Sequence, residues 1–412
     1  MSAPAAPPTA PRTSLLSPTG VIIAAGAVVL SLSFGVRAVF GIVLEPISTE
    51  FAWPREVFSL SLAIQNMVWG LAQPFFGALA DKYGDRWALW LGLALYCAGM
   101  ALAAVGYLPF MQHLGTGVLV GMGVAGTAFG LVLSVVGRAV PEERRAKALA
   151  LTAALGSLGQ MALPLLAGWI TATYGWQATL VVMGLLLLPI GLCIPYLKAE
   201  TPAGSAEDPE VTIGTMLRRA FGHSSYVLLT LGFFVCGFHV AFMTAHLPVY
   251  VAEVCGSVTL GAATLSVIGL ANVVGTLLTG QLAAHFPKPW ILSAIYALRA
   301  VVITVFIFII PPSPVSMMVF SATIGVLWLS TVPLTSGLVA TMFGTRALGT
   351  LYGVVFLSHQ VGSFLGVWIG GRAYDATGSY DTVWIAAIIL GVFSALVHLP
   401  VQDRPWRATA AA

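Results

Sequence analysis

Apolar residues gather in twelve long runs along the chain, separated by short polar breaks. The runs lie near 20–45, 57–80, 87–107, 113–138, 147–171 and 175–197, then near 225–252, 259–284, 290–310, 314–341, 348–371 and 380–400. Each is close to the ~20 residues that a helix needs to cross the hydrocarbon core of a bilayer. The pattern therefore predicts an all-α integral membrane fold of twelve transmembrane helices, here called spans one to twelve. Lys198–His223 is the only long polar segment inside the chain; it carries Pro202, Pro209 and the basic pair Arg218 and Arg219, and reads as a linker. The expected organisation is a disordered tail (1–19), a six-helix bundle (20–197), the linker (198–223), a second six-helix bundle (224–401) and a short tail (402–412).

Composition agrees with lipid as the solvent. The chain is 58% hydrophobic and 8% charged, whereas soluble domains carry roughly 25% charged residues. Most of the 18 lysines and arginines fall on one side of the predicted membrane, among them Lys82, Arg86, Arg144, Arg145, Arg218 and Arg219; the other side holds Arg55 and Arg372. By the positive-inside rule both termini and the linker are cytoplasmic, and the expected location is a bacterial inner (plasma) membrane. The first run lacks an evident small-residue cleavage site and is read as a retained span. The four cysteines form no C-x-x-C pair and read as small buried hydrophobes. No Walker loop, dinucleotide-binding fingerprint or H-E-x-x-H motif occurs. Enzyme chemistry is not expected, nor a cofactor, a metal or a nucleic-acid partner.

Between spans two and three lies Gly77-Ala-Leu-Ala-Asp-Lys-Tyr-Gly-Asp-Arg86, and a weaker copy, Gly280-Gln-Leu-Ala-Ala-His-Phe-Pro-Lys-Pro289, follows about 203 residues later. Gln160 and Gln360 echo each other at a similar interval. Six spans return the chain to its starting side, so the halves run in the same sense. Parallel repeats of this kind are a transporter design with the substrate site between the halves. On these residues the chain resembles a major facilitator superfamily transporter over essentially its whole length, its loop matching G-x-L-A-D-x-x-G-x-R. Within that superfamily, Phe34-Gly-Val-Arg37, Phe40-Gly41, Phe51-Ala-Trp-Pro-Arg-Glu56 and Tyr352-Gly-Val-Val-Phe-Leu-Ser-His-Gln360 resemble bacterial monocarboxylate and oxalate/formate porters. The resemblance implies alternating access by rocking of the halves. It implies that spans one, four, seven and ten line the cavity, and that three, six, nine and twelve are outer scaffold. It also implies that Asp81, in a loop with Gly77, Gly84 and Arg86, helps lock the cytoplasmic gate against the second half.

No acidic residue falls at the centre of a run, while Arg37 and Arg299 lie inside spans one and nine. An arginine at mid-helix costs about 2.5–3.5 kcal/mol on insertion scales. With no central carboxylate to neutralise it, the positive potential invites an anion from outside, and the planar guanidinium fork fits a carboxylate. Arg37 is the principal candidate; its alternatives are to reach toward the interface or to pair with Glu45, two turns on. Arg299, on a scaffold span, is a secondary candidate whose alternative is to hydrogen-bond backbone carbonyls. His239, His246 and His359 are the candidate proton-coupling groups, the alternative being hydrogen bonds to facing carbonyls or hydroxyls. Gln65, Asn66, Asn272, Gln360, His359 and Trp328 are candidates to complete the substrate site.

The expected function is secondary active transport of a small organic anion, a monocarboxylate such as lactate or pyruvate. The coupled species would be a proton or a counter-anion, and the working unit a monomer in the bilayer. The alternative is an efflux carrier for a hydrophobic or drug-like compound.

Overall fold

The computed structural model of the chain describes residues 18–198, 213–344 and 348–405. The first tail, most of the linker and the last residues of the second tail lie outside them. Helices are the only regular secondary structure among the described residues. Span one is Pro18–Ala38 continued by Phe40–Glu50; span two is Arg55–Tyr83; span three is Asp85–Val105. Span four begins at Pro109, passes through a π-helical stretch at His113–Leu119, and breaks between Val120–Thr127 and Phe129–Ala139. In the second half, spans seven and eight are Ser224–Cys255 and Val258–Leu282, and span nine is Lys288–Ile303 with a π-helical end at Thr304–Ile309. Span ten is Pro314–Val326 and Thr331–Phe343, span eleven Leu348–Thr377, and span twelve Asp381–His398.

Ten stretches among the described residues are long and apolar enough to cross a bilayer. One of them, Ala148–Tyr196, is 49 residues long and contains two crossings. At Gly175 the backbone takes φ 86°, and Thr171 and Thr179 exchange a hydroxyl hydrogen bond at 2.8 Å. In a straight helix those two residues would be ~12 Å apart along the axis, so the chain doubles back here. Arg55–Tyr83 falls outside the ten because Gln65, Asn66, Gln73 and its terminal charges lower its hydropathy. Its 29 residues still span ~44 Å at ~1.5 Å each. Counting both gives twelve crossings, consistent with the hydropathy pattern.

The outward faces carry the side chains that lipid would solvate, such as Leu71, Leu192 and Ile309, each more than half exposed. Between the halves, packing differs sharply from one end to the other. At the Arg55 end, span one meets span seven so closely that a Cβ on Gly41 would overlap the Thr244 carbonyl oxygen. Spans two and eleven approach equally closely, Gly371 against Ser59. Toward the Asp81 end, a Cβ added at Gly77, Gly349 or Gly353 would meet nothing within 4 Å. The halves therefore touch over one end and part toward the other.

Inside the second half, the Gly237 Cα lies directly on the backbone of His359, joining spans seven and eleven. Gly237→Val is expected to force these helices apart and to lower stability by about 1–3 kcal/mol, as overpacking does. A lower melting temperature in detergent would show this, and an unchanged melting curve would contradict the packing described.

Candidate functional site

Arg37 closes the first helix of span one just before the break at Val39, where Val39 N–H turns to the Val36 carbonyl. Its Nη2 donates to Asn66 Oδ1 at 2.5 Å, and its guanidinium carbon lies 4.9 Å from the centroid of the Trp69 ring. Asn66 is held by donating its own Nδ2–H to the Leu62 carbonyl at 2.8 Å. Gln65 beside it donates to the Thr116 carbonyl of span four at 3.0 Å. Arg37 Nε is buried without a partner, and among the described residues no carboxylate pairs with the guanidinium. Glu45, the partner open to it from sequence, instead accepts from Thr49.

Around Arg37 is a cavity of about 20 Å³ lined by Phe40, Leu62, Gln65 and Asn66 from the first half and Ala241, Thr244, Ala245 and Val367 from the second. That volume suits one water molecule. Trp69 separates it from the open end, its ring edge-on to Phe34 at 5.7 Å and to Phe356 at 5.1 Å. A solute larger than water reaches Arg37 only if this aromatic layer or the span-one to span-seven contact moves.

Gln360 and His359 lie one helical turn nearer the open end. Gln360 is fully buried against Gly70 of span two, its Nε2 unpartnered. His359 Nδ1 is 3.2 Å from Gln360 Oε1 and 3.4 Å from Ser363 Oγ, and the ring stacks on Phe356. Gln360 thus brings an unspent donor to the seam between the halves.

Asn272, Trp328 and Arg299 do not join this group; together they hold the break in span ten. Helix Pro314–Val326 ends in mid-membrane and leaves carbonyls that must be satisfied without water. Arg299 donates Nε to the Leu327 carbonyl at 3.1 Å and Nη2 to the Leu327 and Trp328 carbonyls. Asn272 Oδ1 accepts from Leu329 N–H at 2.9 Å. Asn272 thus gives its oxygen to the backbone of the break and does not touch Arg37, and Trp328 contributes its carbonyl. His239 also turns outward: its Nε2 donates to the Ala387 carbonyl of span twelve at 2.7 Å, because span seven is buried on every side and this face looks at scaffold.

At the end carrying residues 81–86, Asp81 is exposed with no hydrogen bond or ion pair among the described residues. It makes no cross-half lock in this conformation because the halves are apart there. Gly84, at φ 94°, ends span two, Gly77 is open, and Arg86 donates to the Pro195 carbonyl at the end of span six at 2.5 Å. The loop's ion pair is made by Asp85, with Arg138 of span four at 2.6 Å. All of these contacts stay within the first half.

The cross-half lock lies at the other end, in residues that sequence reasoning did not single out as a site. Arg55 pairs with Glu253, donates Nη1 to Tyr380 Oη at 3.0 Å and stacks 3.6 Å over Tyr374. Arg55 N–H and Glu56 N–H both donate to the Asp375 carboxylate, at 2.9 and 2.7 Å, so span eleven caps the N-terminus of span two. Glu56 accepts from Trp368 Nε1 at 2.9 Å and Arg372 at 3.1 Å. The available signal was an Arg-Glu pair opening a span on the charge-poor side, with Glu253, Arg372 and Asp375 at the same level. His246 joins this cluster through Tyr380.

Twelve helices in two facing halves, sealed at one end and parted at the other, with a buried arginine in the seam, define a multi-pass membrane carrier. Residues 26–367 match the Major Facilitator Superfamily, and the chain belongs to that family. It is similar to the uncharacterized MFS-type transporter YcxA of Bacillus subtilis, at 25% identity over 89% of this chain and 91% of that one. It is also similar to human monocarboxylate transporter 11, at 24% identity over 92% and 82%. The fold matches that of a D-xylose–proton symporter with a TM-score of 0.75, at 14% identity over 95% of this chain and all of that one. It is accordingly a transporter and not an enzyme.

Arg299→Met should leave the carbonyls of the span-ten break unsatisfied at a cost of about 1–3 kcal/mol. Melting curves in detergent should fall for this variant, and unaltered melting would remove Arg299 from the support of the break.

Proposed function

We propose that the protein moves a small organic anion, a monocarboxylate such as lactate or pyruvate, by alternating access, with Arg37 as the carboxylate's anchor. The observation that carries this reading is the seam arginine with an unpartnered Nε and no ion-paired carboxylate. Asn66 and Trp69 orient the guanidinium fork, and the Gln360 amide offers a second donor one turn away. The similarity to monocarboxylate transporter 11 supports the same substrate class. An anion that fills the pair also neutralises a charge that is costly in lipid, which favours loaded over empty states during the rocking step.

In this reading the halves, residues 20–197 and 224–401, move as bodies, and the basic Asp81 end faces the cytoplasm of a bacterium with both termini on that side. The conformation described is then inward-facing, with Asp81 free to re-engage the second half when the molecule opens outward. The coupled species is a proton or an exchanged anion.

Ligand that binds the folded state raises stability by about 2.7 kcal/mol at one hundred times its Kd. Lactate and pyruvate should therefore raise the melting temperature of the wild type. Arg37→Gln should melt as the wild type does but lose this response, and Arg37→Lys should keep part of it. An undiminished response in Arg37→Gln would remove Arg37 from binding. A response to lipophilic cations in place of carboxylates would favour the efflux reading.

A further inference from the structure

We propose that His246 is the binding site of a proton that unlatches the Arg55 end. The inference rests on the alternating-access part of the reading above and is independent of the anion's identity. The observation is a directional chain of hydrogen bonds running from the cross-half latch into the second half. Arg55 Nη1 donates to Tyr380 Oη at 3.0 Å. Tyr380 Oη lies 3.2 Å from His246 Nδ1, and His246 Nε2 lies 2.8 Å from the Val367 carbonyl oxygen.

One arrangement of protons satisfies all three contacts and also gives the Tyr380 hydroxyl proton an acceptor. A carbonyl can only accept, so Nε2 carries a hydrogen and donates it. A guanidinium can only donate, so Tyr380 Oη accepts from Arg55. The Tyr380 hydroxyl proton is then free to point at Nδ1, which must be bare to accept it. With Arg55 docked, His246 is thus neutral and in its Nε2–H form.

Protonation at Nδ1 reverses the last link. Nδ1 becomes a donor to an oxygen already engaged by Arg55, and the Tyr380 hydroxyl proton loses its acceptor. A second positive charge also appears one hydroxyl away from the guanidinium, in a fully buried ring. The groups around the ring offer little compensation. Span twelve presents Tyr380, and span eleven brings Tyr374 against it. Of the carboxylates at this level, Glu253 and Asp375 are engaged by Arg55 and Glu56 by Arg372 and Trp368, while Asp381 opens span twelve next to Tyr380. Phe242 and the Gly370 backbone complete the pocket.

When Arg55 withdraws with the first half, the Tyr380 oxygen is released to accept from a protonated His246, and its own proton can turn to Glu253 or to water. All the groups holding His246 (Tyr380, Val367, Gly370) belong to the second half and travel with it. The proton therefore reads one variable, whether Arg55 is docked. By linkage, the latched state is favoured at high pH and loses ground as pH falls, by up to about tenfold in the open-to-latched ratio per pH unit for a single proton. In the orientation proposed, outside acidity would open the carrier toward the proton source, as an importer driven by a proton gradient requires.

The test places spin labels at Thr49 and Ala376, on opposite sides of the latch, in a background with the native cysteines replaced, and follows their distance in purified protein without substrate. In the wild type a longer-distance population should grow as pH falls. His246→Gln keeps a donor and an acceptor but cannot charge, and should retain only the part of that growth that comes from protonation of the latch carboxylates. Tyr380→Phe cuts the chain but leaves His246 and Arg55 close together, and should weaken the His246 part. The proposal is overturned if His246→Gln opens with falling pH as the wild type does, or if the wild type does not open or moves the other way. The melting response to lactate at fixed pH, which should persist in His246→Gln, is read separately. Its absence from the wild type would sink the anion assignment and leave the latch result standing.

Discussion

A bilayer core offers no water to a stray polar group, and this constraint organises the molecule. Many buried donors are turned inward onto backbone carbonyls. Arg299 serves the carbonyls exposed by the break in span ten, Asn272 takes the amide on the far side of it, and His239 donates to span twelve. Gln65, Gln112 and Tyr96 likewise bond to backbone carbonyls within the first half. Against that background Arg37 stands out: it is embedded, cationic and held by one side-chain hydrogen bond and one ring face. A buried cation left without a carboxylate is completed by an anion supplied from elsewhere.

The same constraint explains the asymmetry between the two ends. The ion pairs that join the halves lie at the Arg55 end, where Asp375 also serves two amides of span two and Arg55 is shared by Glu253, Tyr374 and Tyr380. At the other end, contacts of the 77–86 loop remain local, Asp85 with Arg138 and Arg86 with Pro195. Latching at one end while the other rests on its own half is what rocking about a central seam demands. The seam itself is the Trp69–Phe34–Phe356 layer beside the Arg37 cavity.

Much of this was legible from residue order. Hydropathy located the spans, including span two, whose polar side chains make it the least apolar. The polarity of Arg37 and the interval of ~200 residues between repeats pointed to a seam with a cation in it. The helix breaks were not legible. Those at Ala128 and at Leu327–Ser330 carry no proline and lie at matching places in spans four and ten. The local marks, Gly126 and Gly130 about the first and Gly325 and Pro333 about the second, do not suffice to place them, because what holds the span-ten break is distant in sequence, Arg299 and Asn272. The contact of Asn272 with the break was not legible for the same reason: an amide in a span reads alike whether it faces a cavity or an orphaned N–H. The latch was hidden because its charges are ordinary for loop ends, and only the fold brings residues 55, 253 and 375 together.

The central claim is that Arg37 itself holds the carboxylate. Dipolar recoupling by solid-state NMR between guanidinium nitrogens labelled with ¹⁵N and the labelled carboxyl carbon of bound lactate or pyruvate, in lipid, tests it directly. The account predicts a nitrogen–carbon distance of about 4 Å, as in a paired carboxylate, assigned to Arg37 by its disappearance in Arg37→Gln. Bound, immobilised ligand whose carboxyl carbon shows no coupling to any arginine would contradict it.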